Sequence, residues 1–216
     1  MSSRGPGREK NLGFERVSKY EVVARRTVDA SGVLVDVGAR DRVLNTYLRS
    51  RHLRYLSADL GQGHDFCWDL EGVLAVPDSA FDVVVALDVL EHVEHIHLAL
   101  RELIRIARTR VFISLPNLAA LAFRLHFLRH GQISMKHALL PEHQGDRHRW
   151  LTSYTQIQGF VRHLAAESHC QLTQYDLLAG YGRTHSFLAR LPLPAALRTY
   201  TVLFELTKAV MPEGRP

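Results

Sequence analysis

Apolar positions along this chain keep two alternating rhythms. Short unbroken runs of aliphatic and β-branched residues are separated by stretches in which apolar positions recur every three or four residues. Gly32–Val37 (GVLVDV) and Phe81–Leu87 (FDVVVAL) read as strands covered on both faces, while Leu53–Leu60 (LRYLSADL), ending in acid, and Val111–Leu115 (VFISL), stopped by Pro116, read as further strands. The stretches between them read as helices. Val17, Tyr20, Val23 and Ala24 share a face within Phe14–Val28, and Ser31-Gly32 ends that pattern. Val43, Leu44, Tyr47 and Leu48 form a second stripe, and Leu100, Leu103, Ile104 and Ala107 a third, within Ile96–Arg108.

The later part of the chain is less regular. A helix is expected over Leu118–Arg129, followed by a loop-like segment rich in His and Arg from Gly131 to Trp150. Ser153 and Gln156 match a capping box, and Tyr154, Ile157, Val161 and Leu164 continue it as a helical stripe to Leu164. Gln171–Leu178 reads as a strand. Leu188–Met211 is apolar, interrupted by Pro192 and Pro194, and a helix is expected after Pro194.

Strands that alternate with helices imply right-handed βαβ units and a parallel sheet. The expected fold is α/β: a three-layer, Rossmann-like, mostly parallel sheet flanked by helices, with a helical C-terminal extension. We divide the chain into a basic tail (1–12), one α/β domain (13–183) whose segment 118–150 covers the site, and an apolar extension (184–216) packed on the domain.

Composition narrows the class. The chain has 216 residues, 46% hydrophobic and 23% charged, enough for one packed domain. No run of 18 apolar residues appears, so no membrane-spanning helix is expected, and Met1–Lys10 has no apolar stretch of the secretory kind. Two cysteines, Cys67 and Cys170, lie outside any CxxC pair, which argues against a disulfide framework or structural zinc and fits a reducing cytoplasm. Both read as small buried apolar residues. A formal charge of +5 permits anionic partners, but it is interspersed with acids, and no nucleic-acid-binding signature accompanies it.

The polar residues of the first half fall at the carboxyl ends of the strands: Asp36 and Gly38, then Asp59, then Asp88, then Asn117. Parallel sheets hold their ligands there. Gly38 directly after a buried strand lets the backbone turn and approach a ligand closely. The following helix aims its first amides at the same place. Asp59, at the end of the next strand, can accept hydrogen bonds from both hydroxyls of a ribose. Gly38 with Asp59 therefore points to an adenosine-type ligand.

Downstream, residues 68–93 read WDLEGVLAVPDSAFDVVVALDVLEHV. The segments Val76–Asp82 (VPDSAFD), Leu90–Val93 (LEHV) and Val111–Asn117 (VFISLPN), with VLVDVG and YLSADL before them, occur in the order found in the S-adenosylmethionine (SAM)-dependent methyltransferases of the Rossmann-like type. The chain resembles that family over roughly residues 30–117. The resemblance implies SAM as cofactor and methyl transfer as activity. It places Asp36, Gly38, Ala39 and Arg40 in the loop under the methionine part, Asp59 and Leu60 at the ribose, Asp69 and Leu70 at the adenine edge, and Leu87 and Asp88 beside the methionine moiety. Taken singly each has a plainer explanation: Asp36 could cap a helix, Asp69 could hold an ordinary turn, and Glu91 could favour a helix start.

One departure stands out. The family carries D-x-G-x-G-x-G, whereas this chain has Gly38 alone, with Arg40 and Arg42 where the later glycines would stand. Either the loop takes a variant path in which an arginine pairs the methionine carboxylate, or cofactor binding is weakened and the protein is a non-catalytic scaffold. An NAD(P)-dependent oxidoreductase is disfavoured, since Arg40 also replaces the second glycine of G-x-G-x-x-G.

On the acceptor side, His92 is the candidate general base, with His95 and His97 more simply read as solvent-facing residues at a helix start. Asp88, His92 and His95 match no strong metal motif, and no metal site is expected. His126, His130, Lys136, His137, His143, Arg147, His148 and Arg149 make the segment after the fifth strand of the family pattern basic. Such a cover suits an anionic small-molecule or glycan-type acceptor, lipid-linked glycans included. The apolar extension could touch a membrane peripherally, although packing on its own domain is the simpler expectation. The family ends in an antiparallel hairpin whose last strand is not identifiable in this sequence.

Overall fold

The computed structural model describes residues 10–15, 17–133, 135–137, 142, 147–178 and 192–208. In chain order the elements are β1 (Lys10–Glu15), α1 (Lys19–Arg26), β2 (Gly32–Val37), α2 (Val43–Tyr47), β3 (Leu53–Asp59), β4 (Phe66–Cys67), β5 (Phe81–Leu87), α3 (Ile96–Ile106), β6 (Ala107–Pro116), α4 (Leu121–His130), α5 (Tyr154–Glu167), β7 (Cys170–Leu177), α6 (Ala195–Arg198) and β8 (Thr201–Lys208). Single 3-10 turns occupy Leu90–His92 and Met135–His137.

All the strands join one eight-stranded sheet in the order β1-β7-β8-β6-β5-β2-β3-β4. Every pairing is parallel except those of β8, which runs antiparallel to both β6 and β7. The order reverses between β2 and β5: β3 and β4 lie to one side of β2, and the later strands lie to the other. The crevice of a doubly wound sheet opens at such a reversal.

The period-two alternation of strand side chains sorts the core into two layers. On β5, Val84 and Ala86 face α3 and α5, joining Leu100, Leu103, Ile157, Val161 and Leu164. Val83, Val85 and Leu87 face the other way, against Val22 and Val23 of α1 and Leu44 of α2. Both layers are fully buried, which is why these strands read as unbroken apolar runs. Each such Val or Leu contributes about 1.5–3 kcal/mol. Local signals set the ends of the helices. Ser18 caps α1 by accepting from the Glu21 amide. Ser153 and Gln156 form the expected reciprocal box at the start of α5.

Several expectations are corrected. The helix expected after Pro194 is confined to the four residues of α6. The helical C-terminal extension gives way to β8, a strand between β6 and β7, and the β7–β8 pair is the antiparallel hairpin that the sequence did not disclose. Thr201–Lys208 (TVLFELTK) is rich in β-branched and aromatic residues, but an apolar run of this length fits a strand or a buried helix equally until its neighbours are known. The neighbours decide: Val202, Leu203, Phe204 and Leu206 are buried by pairing with β6 and β7. That burial also removes the basis for membrane contact through the described part of the extension. No helix among the described residues is long and apolar enough to cross a membrane.

At the other terminus, Lys10–Glu15 is a strand parallel to β7, so residues 10–12 of the expected tail belong to the sheet and α1 begins only after Ser18. β6 starts at Ala107, directly after α3, rather than at Val111. Cys67 is exposed on the short edge strand β4, not buried, and both cysteines are free thiols.

Candidate functional site

A cleft of about 1260 Å³ lies beyond the carboxyl ends of β2, β3 and β5. Every residue assigned to cofactor binding from sequence lines it: Asp36, Gly38, Ala39, Arg40, Asp59, Leu60, Asp69, Leu70, Leu87 and Asp88, with His92 beside them.

The turn after β2 forms the floor. Gly38 has φ +71, and a Cβ there would stand 2.6 Å from Val89 Cγ2, so only glycine fits. The Gly38 and Ala39 amides both donate to the Ala58 carbonyl, at 2.8 and 3.2 Å, fastening the turn to β3. Arg40 and Arg42 then adopt left-handed backbone, with φ 43 and 54. The chain thus keeps the glycine-type path with arginines on it, at a cost of about 1–2 kcal/mol for each such residue. The Arg42 guanidinium donates to the Gly63 carbonyl. Arg40 Nε lies 4.0 Å from Asp41 Oδ2 with both side chains exposed, a pairing that contributes little.

Asp59 is set by this loop. Its Oδ2 accepts from the Arg40 amide at 2.8 Å and its Oδ1 from the Leu60 amide at 2.7 Å. The carboxylate is fixed across the mouth of the turn, and each oxygen has acceptor capacity beyond its one amide.

Asp36 sits deeper. It is buried and accepts from the Tyr55 hydroxyl at 2.8 Å. Burial pushes its carboxyl up to about 7; the Tyr55 bond opposes this and the Asp59 charge adds to it. Asp88, with φ 54, receives the Ser114 hydroxyl on Oδ1 at 2.7 Å and the Lys19 ammonium on Oδ2. Lys19 comes from α1 and was not expected at the site. Burial lowers its pKa to about 8, against the pull of Glu91 and with the repulsion of Lys136.

The adenine-edge candidates are mixed. Asp69 accepts from the Glu71 amide at 2.9 Å, as an ordinary turn aspartate does. Leu70 is buried in the core, and Trp68, which also lines the cleft, stacks on Phe66 at 4.8 Å. Leu60 is exposed and Leu87 buried.

The far end of the cleft is built by two segments that are distant in sequence. Residues 147–150 lie against residues 91–94. The Arg149 amide donates to the Glu91 carbonyl at 2.8 Å, Arg149 Nε to the His92 carbonyl at 2.9 Å, and Trp150 Nε1 to the Val93 carbonyl at 2.8 Å. His92 Nδ1 meets the Arg147 carbonyl at 3.0 Å. A carbonyl only accepts, so Nδ1 donates, and in the neutral ring the lone pair is on Nε2. These contacts bring the His148 ring edge-on to His92, with 4.6 Å between centroids. The His148 amide donates to the Lys136 carbonyl at 3.2 Å, and the His137 ring lies 5.0 Å from that of His148.

Of the basic segment, Lys136, Arg147, His148 and Arg149 line the cleft. His126 and His130 pair with each other along exposed α4, and His143 lies outside the described residues. His95 and His97 are not part of the lining: His95 turns to Glu71 at 3.1 Å and His97 packs on Phe160.

A family model described as a methyltransferase domain matches residues 16–177. No curated protein matches the chain. Among solved structures, it is similar to the plantazolicin methyltransferase in complex with SAH (TM-score 0.54, 8% identity, 88% of this chain and 82% of that one). It is also similar to the magnesium protoporphyrin IX methyltransferase of Synechocystis PCC 6803 with bound SAH (TM-score 0.53, 15% identity, 88% and 81%). A third likeness is to a SAM-dependent methyltransferase from Archaeoglobus fulgidus (TM-score 0.52, 12% identity, 88% and 95%). At these identities the likeness concerns the fold.

Proposed function

The chain belongs to the methyltransferase-domain family, and we propose from that premise that it moves a methyl group from SAM to an anionic small-molecule or glycan-type acceptor. The observation that carries this reading is the convergence of residues from three strand ends on one cleft, with a carboxylate held open at the end of β3 and a basic, histidine-bearing wall opposite.

The residues present fit a nucleoside bearing a sulfonium. Asp59 has a lone pair beyond its amide bond on each oxygen, the pattern that two vicinal hydroxyls require. Trp68 and Leu70 offer apolar surface for a purine. Asp36 and Asp88 both line the cleft, and a carboxylate there favours a positive sulfur. The volume exceeds that of typical single-ligand pockets, roughly 300–1,000 Å³, and so leaves room for an acceptor beside the cofactor. Bound SAM supplies an activated methyl group for in-line displacement. The chain's own task is then alignment and proton removal. His92, with its lone pair on Nε2, is the group assigned to the acceptor hydroxyl. Lys136 and Arg147 supply positive charge for an anionic acceptor at the same end. We place the activity in a reducing cytoplasm, consistent with two free thiols.

A second reading, a binding scaffold without catalysis, is favoured by Arg40 and Arg42 in positive-φ positions. Calorimetric titration with S-adenosylhomocysteine separates the two. Micromolar binding, accompanied by a rise in melting temperature that NADH does not produce, supports the enzyme. No heat and no shift at millimolar ligand, on folded protein, leaves the scaffold.

A further inference from the structure

We propose that Glu91, His92 and His148 form a binding site for one divalent transition-metal ion of the zinc type, at the acceptor end of the cleft. Each of these residues offers a ligand atom, and the three atoms lie within 4.8 Å of one another. His148 Nε2 is 3.9 Å from Glu91 Oε1, and the two imidazole rings stand perpendicular, 4.6 Å apart. Ligands sharing an ion at about 2.1 Å are separated by roughly 3–4 Å, so the set has to contract by about 1 Å, a distance on the scale of side-chain adjustment.

The surroundings have the character of a built site. Glu91 is 1% exposed, and its two partners His92 and His148 line the cleft. The Arg147 carbonyl holds His92 in the tautomer that offers Nε2, as an outer-shell carbonyl does for a ligating histidine. The hydrogen bonds from Arg149 and Trp150 to the carbonyls of Glu91, His92 and Val93 hold His148 over its partners. Two imidazoles and one carboxylate suit zinc and its first-row neighbours rather than magnesium or calcium, which prefer oxygen. Three protein ligands leave a fourth tetrahedral position for solvent or substrate, and His92 and His148 both line the cleft, which suits a catalytic rather than a structural ion.

Sequence spacing concealed this set. The cluster weighed from sequence was Asp88, His92 and His95, yet Asp88 takes Lys19 and His95 takes Glu71. The remaining ligand comes from His148, far along the chain. The ion's role rests on the methyl-transfer reading: its open position would hold an anionic or hydroxyl oxygen of the acceptor, and ligation would occupy His92 Nε2, so that His92 acts through the ion instead of taking the proton. The site itself does not depend on that reading.

The test uses chelator-stripped full-length protein titrated with Co²⁺, read by ligand-field absorption, then with Zn²⁺ as competitor. One equivalent is expected to bind, displaced by Zn²⁺. His148→Ala and His92→Ala should each weaken binding by at least roughly 100-fold, while His95→Ala leaves it unchanged. Failure of the unaltered protein to bind one equivalent overturns the proposal, even if the variants fold poorly. Undiminished binding in folded His148→Ala also overturns it and leaves a plain Glu91–His148 ion pair. S-adenosylhomocysteine affinity, measured on the same samples, reports separately on the methyl-transfer reading.

Discussion

The two ends of the cleft are made in different ways. At the end assigned to the nucleoside, each residue closes its own strand or follows it directly: Gly38 after β2, Asp59 closing β3, Asp88 after β5. Their positions follow from strand geometry. At the acceptor end, His92 and His148 meet only because residues 147–150 are hydrogen-bonded along residues 91–94, and Lys136 joins them through the His148 amide. The first end is fixed by local sequence, the second by long-range pairing. This division lets a family keep one cofactor while changing acceptors, because the second segment can vary without disturbing the strand ends.

The largest effect expected from breaking this division is at the acceptor end. His92→Ala should lower turnover by about 10²–10⁴-fold, the range for loss of a group that serves proton transfer, directly or through a bound ion, with S-adenosylhomocysteine affinity nearly unchanged. Coupled measurement of product release and calorimetric affinity checks this. A parallel collapse of affinity would mean that the two ends are not separable. Next is the other end. Asp59→Ala should weaken S-adenosylhomocysteine binding by roughly 10²–10³-fold, since two hydrogen bonds to a charged group are lost, each contributing about 1.5–2 kcal/mol, the low end of the range for charged acceptors. Unchanged affinity would remove Asp59 from the ribose.

A smaller effect concerns stability. The Asp36 carboxyl is raised to about 7 in the folded chain from an ordinary value of 3.8. The folded state therefore holds this proton more tightly than the unfolded state. The Asp36 contribution to stability falls as pH rises from about 4 to about 7, and levels off above that. Asp36→Asn keeps an acceptor for the Tyr55 hydroxyl and removes the ionisation. It should raise stability at pH 8 by a few kcal/mol and leave it nearly unchanged at pH 4. Urea midpoints at the two pH values decide. An equal shift at both would mean that burial of the charge is not the cause.

How much could be read beforehand follows the same line. β2 and β5 were legible because strands buried on both faces are continuous apolar runs, β3 as a shorter apolar-rich run closed by Asp59, and Ser153 announced α5 through its capping box. The cofactor-side residues were legible because they are tied to those strands. β8 was not, because Thr201–Lys208 becomes a strand only through pairing with β6 and β7. Lys19 was hidden for a related reason: on a helical pattern it is one more polar position, and only the packing of α1 on the sheet brings it to Asp88. His148 was visible as one basic residue among several, but nothing in its neighbourhood singled it out from His143 or Arg147.

The least effect is expected where the chain departs from its family. Arg40 occupies left-handed backbone, and its amide, rather than its side chain, serves Asp59. Arg40→Gly keeps that amide. It relieves about 1–2 kcal/mol of backbone cost but returns about 0.5–1 kcal/mol through the freedom of glycine in the unfolded chain, so stability should rise by no more than about 1.5 kcal/mol. The direction of the change in affinity is the informative part. If the guanidinium pairs with the carboxylate of the cofactor, its loss should weaken binding about tenfold, the scale of one charge-assisted contact near the surface, and 0.5 M salt should weaken binding of the unaltered protein in the same direction. If the arginine merely obstructs the turn, glycine should tighten binding and salt should have little effect. The first outcome makes the loop a variant of the family's design, with one interaction gained in exchange for a strained backbone; the second makes it the mark of a cofactor site in decline.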